Sequence, residues 1–508
     1  MIVVTHNGEH VTSIYGAEGV EDRPEAPIMQ TLFEVARTYP DALIVWCANE
    51  LYNILDVDTI SKICYHPRIM ASYSVNGGQC IGDSIGYLED TVFLKINRTC
   101  LYPTWRMSGD VGAMYGSTLK EFSFISKKSF EYGLNAIAKI GQSQGMLSYS
   151  SPQLLKNVEV PFEKKTKASA YQLFSFIFQH YRTQWMWVTL LSFVLFEKKI
   201  PLLPFLLGFF RKKMTSMKPS IPELTISETA NTTLEMDVII PTMGRKKYLQ
   251  DVLEDLVKQT IRPKKVIIVE QNPEENSTTD LDYIANREWP FEIIHRFIHQ
   301  TGACNARNLA LKETTADWVF MADDDIRFSK TLFENVGAFL NTYKVKAVTV
   351  SCLQEHEKER FMEILQWNTF GSGCSVVDGT IARETDYNMA FELGYGEDKE
   401  YGMQLRNKGV DVLYNPFISL KHIKAPVGGF RKPVVRPWEN MPILPKPSPT
   451  VMLFRQNNLL RQQLDAYKLS LFLKFYAKQP IKNPIRYYKR MQQGWKNSML
   501  WAKKLDAV

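Results

Sequence analysis

Three consecutive carboxylates, Asp323, Asp324 and Asp325, end an uncharged run at 318–322. Acids packed this closely repel one another, so a fold that gathers them generally supplies a cation. Oxygen-only ligation suits Mg2+ or Mn2+, and Mg2+ takes one or two carboxylates while substrate phosphates fill its other places. The plainer reading is a solvated acidic turn, and the residues around the triplet must decide between the two.

Those residues form a regular pattern. A strand at 238–240 is followed by a loop at 241–245 and a helix over 248–259, whose apolar Leu249, Val252, Leu253, Leu256 and Val257 recur at helical spacing. A second strand at 266–269 ends at Glu270, and a helix over 302–312 precedes the apolar run that carries the acids. Strands alternating with helices predict an α/β domain with a parallel sheet, whose ligands bind at the carboxyl ends of the strands. Glu270 and the Asp triplet both stand at such ends.

Taken in order, these residues resemble the family 2 glycosyltransferases with the GT-A (Rossmann-like) fold, over roughly 235–430. Ile239-Ile240-Pro241-Thr242 with Arg245 looks like the family's opening strand and nucleotide-side loop. Glu270 stands where the family usually has an Asp that contacts the nucleotide. Arg307, within 302–308, looks like the Arg that supports the diphosphate. Asp323 and Asp325 resemble the DxD pair, which implies metal contact through Asp325; Asp324 between them counts with the donor-binding residues. Glu397-Asp398 is similar to the family's ED motif, and His422 falls where some members place a metal- or diphosphate-contacting His. The stretch 370–374 looks like the loop beside donor sugar and acceptor, which makes Gly373, Cys374 and Trp367 its candidates.

The resemblance implies an inverting, metal-dependent transfer of a sugar from a nucleotide-diphosphate donor, with Mn2+ or Mg2+ as cofactor. The residue types suit that chemistry. A departing diphosphate is stabilised electrostatically by a divalent ion and an Arg. The attacking hydroxyl needs a base, and a carboxylate within hydrogen-bond reach contributes about 10²–10⁴-fold. Asp398 fits that role, with Glu397 helping to position the acceptor or the metal site. Each residue also has a structural alternative. Glu397 and Asp398 could be helix-start charges favoured by the dipole, His422 a satisfied histidine, Arg307 half of an ion pair and Glu270 a turn residue.

Length and composition set the rest. The 508 residues predict two or three domains, and 45% hydrophobic with 23% charged residues is ordinary globular composition. Seven scattered cysteines without a CxxC pair argue for a reducing compartment and against a disulfide framework or zinc site. The start of the chain shows no signal-peptide pattern. From Lys421 onward eighteen Lys and Arg face three acids, a net +15, so the preceding residues carry −8 of the overall +7. A basic tail on an acidic body predicts an anionic partner.

Four segments follow: an α/β region at 1–165, a hydrophobic helical segment and linker at 166–234, the catalytic domain at 235–430, and a proline-rich strap with basic amphipathic helices at 431–508. The uncharged 185–196 is too short to cross a bilayer, which needs about 20 residues. It reads either as part of an interfacial pair on a membrane or as a buried inter-domain helix. In the tail, helices at 459–478 and 484–505 suit an anionic bilayer, packing on the protein's own body, or, without any recognition motif to support it, nucleic acid. Within 1–165, the run 40–49 matches 316–323, a glycine-rich loop spans 108–114, and Trp105 to Met114 matches Trp367 to Val376. This predicts a degenerate GT-A-like copy in which Cys47-Ala48-Asn49 replaces the acids. The whole reads as a glycosyltransferase peripheral on the inner, cytoplasmic face of the cell membrane. It would act on a saccharide or lipid-linked acceptor in surface polysaccharide synthesis, with no nucleic-acid partner. The alternatives are a non-catalytic glycan- or nucleotide-binding scaffold and, weakened by the missing acids, a polymerase with two active sites.

Overall fold

The computed structural model describes all residues except 17–18, 23–24, 158–168, 225–233, 393, 427–434 and 508. The chain divides into two compact units, 1–224 with 459–471 and 225–458 with 472–508. Both are α/β.

Among the described residues the first unit carries an eight-stranded sheet. Its strands are β1 (Ile2–His6), β2 (Val11–Gly16), β3 (Gly19–Asp22), β4 (Leu43–Ala48), β5 (Ile69–Tyr73), β6 (Tyr102–Pro103), β7 (Val111–Tyr115) and β8 (Leu147–Ser150). They lie in the order β3-β2-β1-β4-β7-β5-β8-β6. The predicted glycine-rich loop is shorter than expected, because β7 begins at Val111. Gly112 belongs to that strand: a Cβ there would fall 2.2 Å from the ring of Trp46, which is fully buried.

The second unit carries a nine-stranded sheet of β9 (Met236–Thr242), β10 (Lys265–Gln271), β11 (Glu292–Ile298), β12 (Trp318–Ala322), β13 (Ile326–Phe328), β14 (Ala347–Leu353), β15 (Leu365–Gln366), β16 (Cys374–Asp378) and β17 (Leu413–His422). The order is β11-β10-β9-β12-β16-β14-β17-β13, with β15 beside β17. β9, β10, β11 and β12 run parallel, as the alternating pattern predicts. The helix Lys246–Val257 returns the chain between β9 and β10, and its Leu249, Val252, Leu253 and Leu256 are fully buried. Each such side chain contributes about 1.5–3 kcal/mol.

The two sheets share a plan on one side. In each, a strand parallel to the first (β4, β12) pairs antiparallel with β7 or β16. That strand pairs antiparallel with β5 or β14, which pairs parallel with β8 or β17. A two-residue strand, β6 or β15, closes antiparallel onto the last. On the other side they differ. Where the second unit has parallel β10 and β11, the first has the antiparallel hairpins β1-β2-β3.

The segment read as either interfacial or buried between domains contains one buried helix and two that are partly exposed. The helix Ala170–His180 is buried in the first unit, with Phe176 stacked on Trp105 at 5.4 Å. The helices Gln184–Ser192 and Leu202–Gly208 bury one side and expose the other. No helix among the described residues is long and apolar enough to cross a membrane. In the tail the strap contains a helix that the prolines did not announce, Pro449–Asn458. The last helix, Pro484–Leu505, turns Tyr487, Met491 and Trp495 inward, and its Ser498 and Asn497 bond the carbonyls of Pro447 and Ile443.

Candidate active site

Strand register decides where the acids go. β9 and β12 finish side by side, with Ile239 opposite Met321, so the loops at 241–245 and 323–325 leave the same end of the sheet. On the other flank Ala322 lies opposite Cys374, which brings the start of β16 and the loop before it to that end. β13 then pairs with β17 so that Ile326 lies opposite His422.

The three aspartates do different things. Asp324 points into the protein, accepting from Thr242 Oγ1 and Arg245 Nη1, each at 2.6 Å. Burial outweighs this pairing and pushes its carboxyl up to about 6. It anchors the loop. Asp323 keeps its side chain 39% exposed, with Oδ1 at 3.2 Å from Arg307. Gly373 makes room for it: a Cβ there would lie 2.1 Å from Asp323 Oδ2. Asp325 accepts the Ala425 N–H at 2.9 Å, lies 3.3 Å from Arg245 and places Oδ1 3.4 Å from His422 Nε2. Burial opposes ionisation of Asp325, but the bonds from His422 and Ala425 win and hold its carboxyl below the usual range. The same contact raises the His422 imidazole.

Asp323, Asp325 and His422 therefore offer two carboxylates and an imidazole, a donor set suited to Mn2+ or Mg2+. Among the described residues no three His, Cys, Asp or Glu side chains form a group able to hold an ion unaided.

Arg307 is the buried cation of the site. Its Nε has no hydrogen-bond partner among the described residues, and its guanidinium stands 5.5 Å over the Tyr387 ring. Burial alone would weaken its charge, but Tyr387, Asp323, Asp398 and Glu397 keep it firmly protonated.

Asp398 and Glu397 open the helix Glu397–Asn407, entered through Gly396 with φ 112°. Asp398 Oδ1 accepts both the hydroxyl and, at 3.4 Å, the N–H of Ser372. Ser372 in turn accepts from the Tyr387 hydroxyl at 2.7 Å. Burial raises the Asp398 carboxyl above the ordinary range, against the pull of Arg307 and Ser372. Glu397 is raised by burial and by Asp398 beside it. Ser372 holds Asp398 while the next residue, Gly373, lies against Asp323. The acids predicted for base and metal thus meet across two consecutive residues of one loop.

The remaining candidates sit around this centre. Glu270 ends β10 and accepts from Thr279, the Asp280 N–H and His295. Burial opposes its ionisation, but these three donors hold its carboxyl below the usual range. Pro241 is the penultimate residue of β9, and Cys374 opens β16. Trp367 stacks on Tyr414 at 4.4 Å with Phe361 against its edge, so its ring belongs to an aromatic cluster. Ser372 lay within a recognised loop without a role, and Tyr387 lay in no motif. Glu392 was also missed: it accepts the N–H groups of Cys304 and Asn305 and caps the helix that carries Arg307. A lone Glu 85 residues downstream of Arg307 gives no sequence signal.

The model of the family described as "Glycosyl transferase family 2" matches residues 237–393. Residues 237–393 are similar to glycosyl transferase family 2. The family 2 stretch contains every predicted site residue except Glu397, Asp398 and His422. An uncharacterized glycosyltransferase from Haemophilus influenzae is 30% identical over 101 residues, which is 20% of this chain and 33% of that protein. The chain thus spans about a third of the length of this curated relative. Among solved structures, S. aureus TarS 1-349 in complex with UDP-GlcNAc is similar at 17% identity and TM-score 0.36, covering 54% of this chain and 83% of that one. The mannosyltransferase PcManGT from Pyrobaculum calidifontis, in complex with GDP-Man and Mn2+, gives 12% identity, TM-score 0.31 and coverages of 57% and 78%.

Counting along the sheets places the first unit against the family 2 site. Cys47 opposite Val111 corresponds to Ala322 opposite Cys374, so Ala48-Asn49-Glu50 stand where Asp323-Asp324-Asp325 do. This corrects the expected Cys47-Ala48-Asn49 by one residue and leaves an acid, the exposed Glu50, at the third position. Trp105 is likewise one residue past Trp367. The Trp367 N–H bond to the Val412 carbonyl is matched by Thr104 to Ser148. Asp110 stands where Gly373 does, and its carbonyl accepts the Ala48 N–H as that of Gly373 accepts the Asp323 N–H.

Proposed function

We propose that the second unit transfers a sugar, with inversion, from a nucleotide-diphosphate donor to a hydroxyl of a saccharide or lipid-linked acceptor. The observation that carries this is the loop pair Ser372-Gly373, which joins Asp398 to Asp323 beside a buried Arg307 with an unpartnered Nε. In this reading Arg307 and Arg245 bind the diphosphate, Thr242 and Asp324 fix the loop that presents it, and Pro241 and Glu270 line the nucleotide side. Asp325, Asp323 and His422 would hold a divalent ion, which would supply positive charge near the leaving diphosphate. Asp398 takes the acceptor's proton, oriented by Ser372, and Glu397 and the 367–374 segment shape the sugar side. The raised carboxyl of Asp398 supports this role, since a base works best when its pKa approaches the working pH.

The first unit is, in this proposal, a duplicate without the donor apparatus. The acceptor is a surface glycan precursor, and the protein attaches peripherally to the inner face of the cell membrane. A panel of nucleotide sugars with Mn2+ tests the reading. Turnover of one donor that is abolished by Asp398→Asn with Asp325→Ala is expected. Turnover that survives the double substitution favours a non-catalytic scaffold.

A further inference from the structure

The strongest unexplained surface lies outside the site. In the first unit the helix Gln184–Ser192 buries Met186, Thr189 and Ser192 but exposes Trp187 and Leu191. The helix Leu202–Gly208 buries Phe205 and Gly208 and exposes Leu202, Leu203, Leu206 and Leu207. The two are locked together: the Trp187 and Phe205 rings meet at 4.6 Å, and a Cβ on Gly208 would fall 2.6 Å from the Met186 methyl. Ile200, 72% exposed, links them, and Phe210, 84% exposed, follows. A contiguous exposed apolar face of this kind marks an interaction surface rather than a free one.

Charge selects the occupant. Lys198 and Lys199 stand between the helices and Arg211 and Lys212 just after them, all four exposed. Between Gln184 and Lys213 the single acid is Glu197, which accepts the Ser84 hydroxyl. An apolar ridge with a cation pair at two points suits acyl chains beneath anionic headgroups. A second copy presenting this face would oppose like charges.

We propose that the face formed by these two helices docks on an anionic lipid bilayer. This deepens the membrane attachment given above by naming its element, and it rests on no step of the transfer reaction. The last helix, Pro484–Leu505, spends Tyr487, Met491 and Trp495 on internal packing, so it is the weaker candidate.

The test is co-sedimentation of the full chain with vesicles of phosphatidylcholine containing phosphatidylglycerol, and with phosphatidylcholine alone, in the absence of donor and acceptor. Binding to the anionic vesicles is expected. Leu203→Asp with Phe210→Asp should lower it at least tenfold, and each of Lys198→Glu and Arg211→Glu about fivefold. Transfer to a soluble acceptor should be unchanged in all of them. Circular dichroism confirms that the exposed substitutions leave the fold intact. The proposal is overturned if wild type ignores anionic vesicles, or if binding survives these changes and falls with Lys489→Glu and Arg490→Glu. It is equally overturned if Leu203→Asp dissociates an oligomer without altering vesicle binding. Loss of transferase activity with vesicle binding intact would count against the proposed reaction alone.

Discussion

The two units of this chain are built on one strand plan and differ where chemistry would happen. Beside β9 the second has parallel β10 and β11, and the ends of β9 and β10 carry Thr242, Glu270 and the adjoining Arg245; beside β1 the first has antiparallel β2 and β3 instead. On the shared half the positions that match the site carry other residues. Ala48-Asn49-Glu50 stand for the three aspartates, and Asp110 for Gly373. Glu131, second residue of the helix Phe130–Gln142, stands for Asp398 and accepts the Gly109 N–H as Asp398 accepts that of Ser372. In the first unit the Phe130 ring also lies edge-to-face with the buried His6, the counterpart of Pro241, at 5.0 Å. One strand plan thus accepts different strand-end side chains, because the sheet core and the strand ends answer to different forces.

That contrast can be broken most sharply at the two acids in matching places. Asp398→Asn should lower kcat by about 10²–10⁴-fold, whereas Glu131→Gln should leave it within about twofold; comparable losses would mean two working sites. Removing divalent ions by chelation should abolish turnover and restore it on adding Mn2+. Titration calorimetry with the donor should then give one equivalent per chain, and a second equivalent lost on Glu50→Ala would refute the contrast. If the first cleft is packing, Phe130→Ala should destabilise that unit by about 3 kcal/mol in urea unfolding without changing KM for the donor. The smallest effect sharpens the role of Ser372. In the proposed reaction transfer needs ionised Asp398, so its raised carboxyl should make the rate fall on acidification at a higher pH than for an exposed aspartate, usually near 3.9. Ser372→Ala removes a bond that lowers this carboxyl, so the acid limb of the rate profile should move further up in pH, with a rate loss of about tenfold.

Much of the second unit was legible because its signals are local. The apolar run before the three acids reads as a buried strand, and β12 is that strand. The helical spacing of Leu249, Val252, Leu253 and Leu256 likewise names the buried face of its helix. What stayed hidden depends on register between distant strands. Nothing near Ser372 says that it will hold Asp398, and Glu392 reaches its helix only through the fold. Register also moved the internal comparison by one residue, since two short apolar runs align equally well in neighbouring frames until their partners are known. The strap helix Pro449–Asn458 was masked by prolines, whose tolerance at a first helical turn leaves a helix start open.

The exchange at one close contact carries a further consequence. In the second unit the carboxylate is on the strand end and the bare backbone on the loop, Asp323 against Gly373; in the first the bulk has crossed over, Ala48 against Asp110. An acid placed at residue 48 alone would set a second carboxylate next to the buried Asp110, and shortening Asp110 alone would strip the Val75 N–H of its acceptor. Each single change is expected to cost stability, so the pair resists stepwise exchange. An acid fits that strand end only when both positions change together.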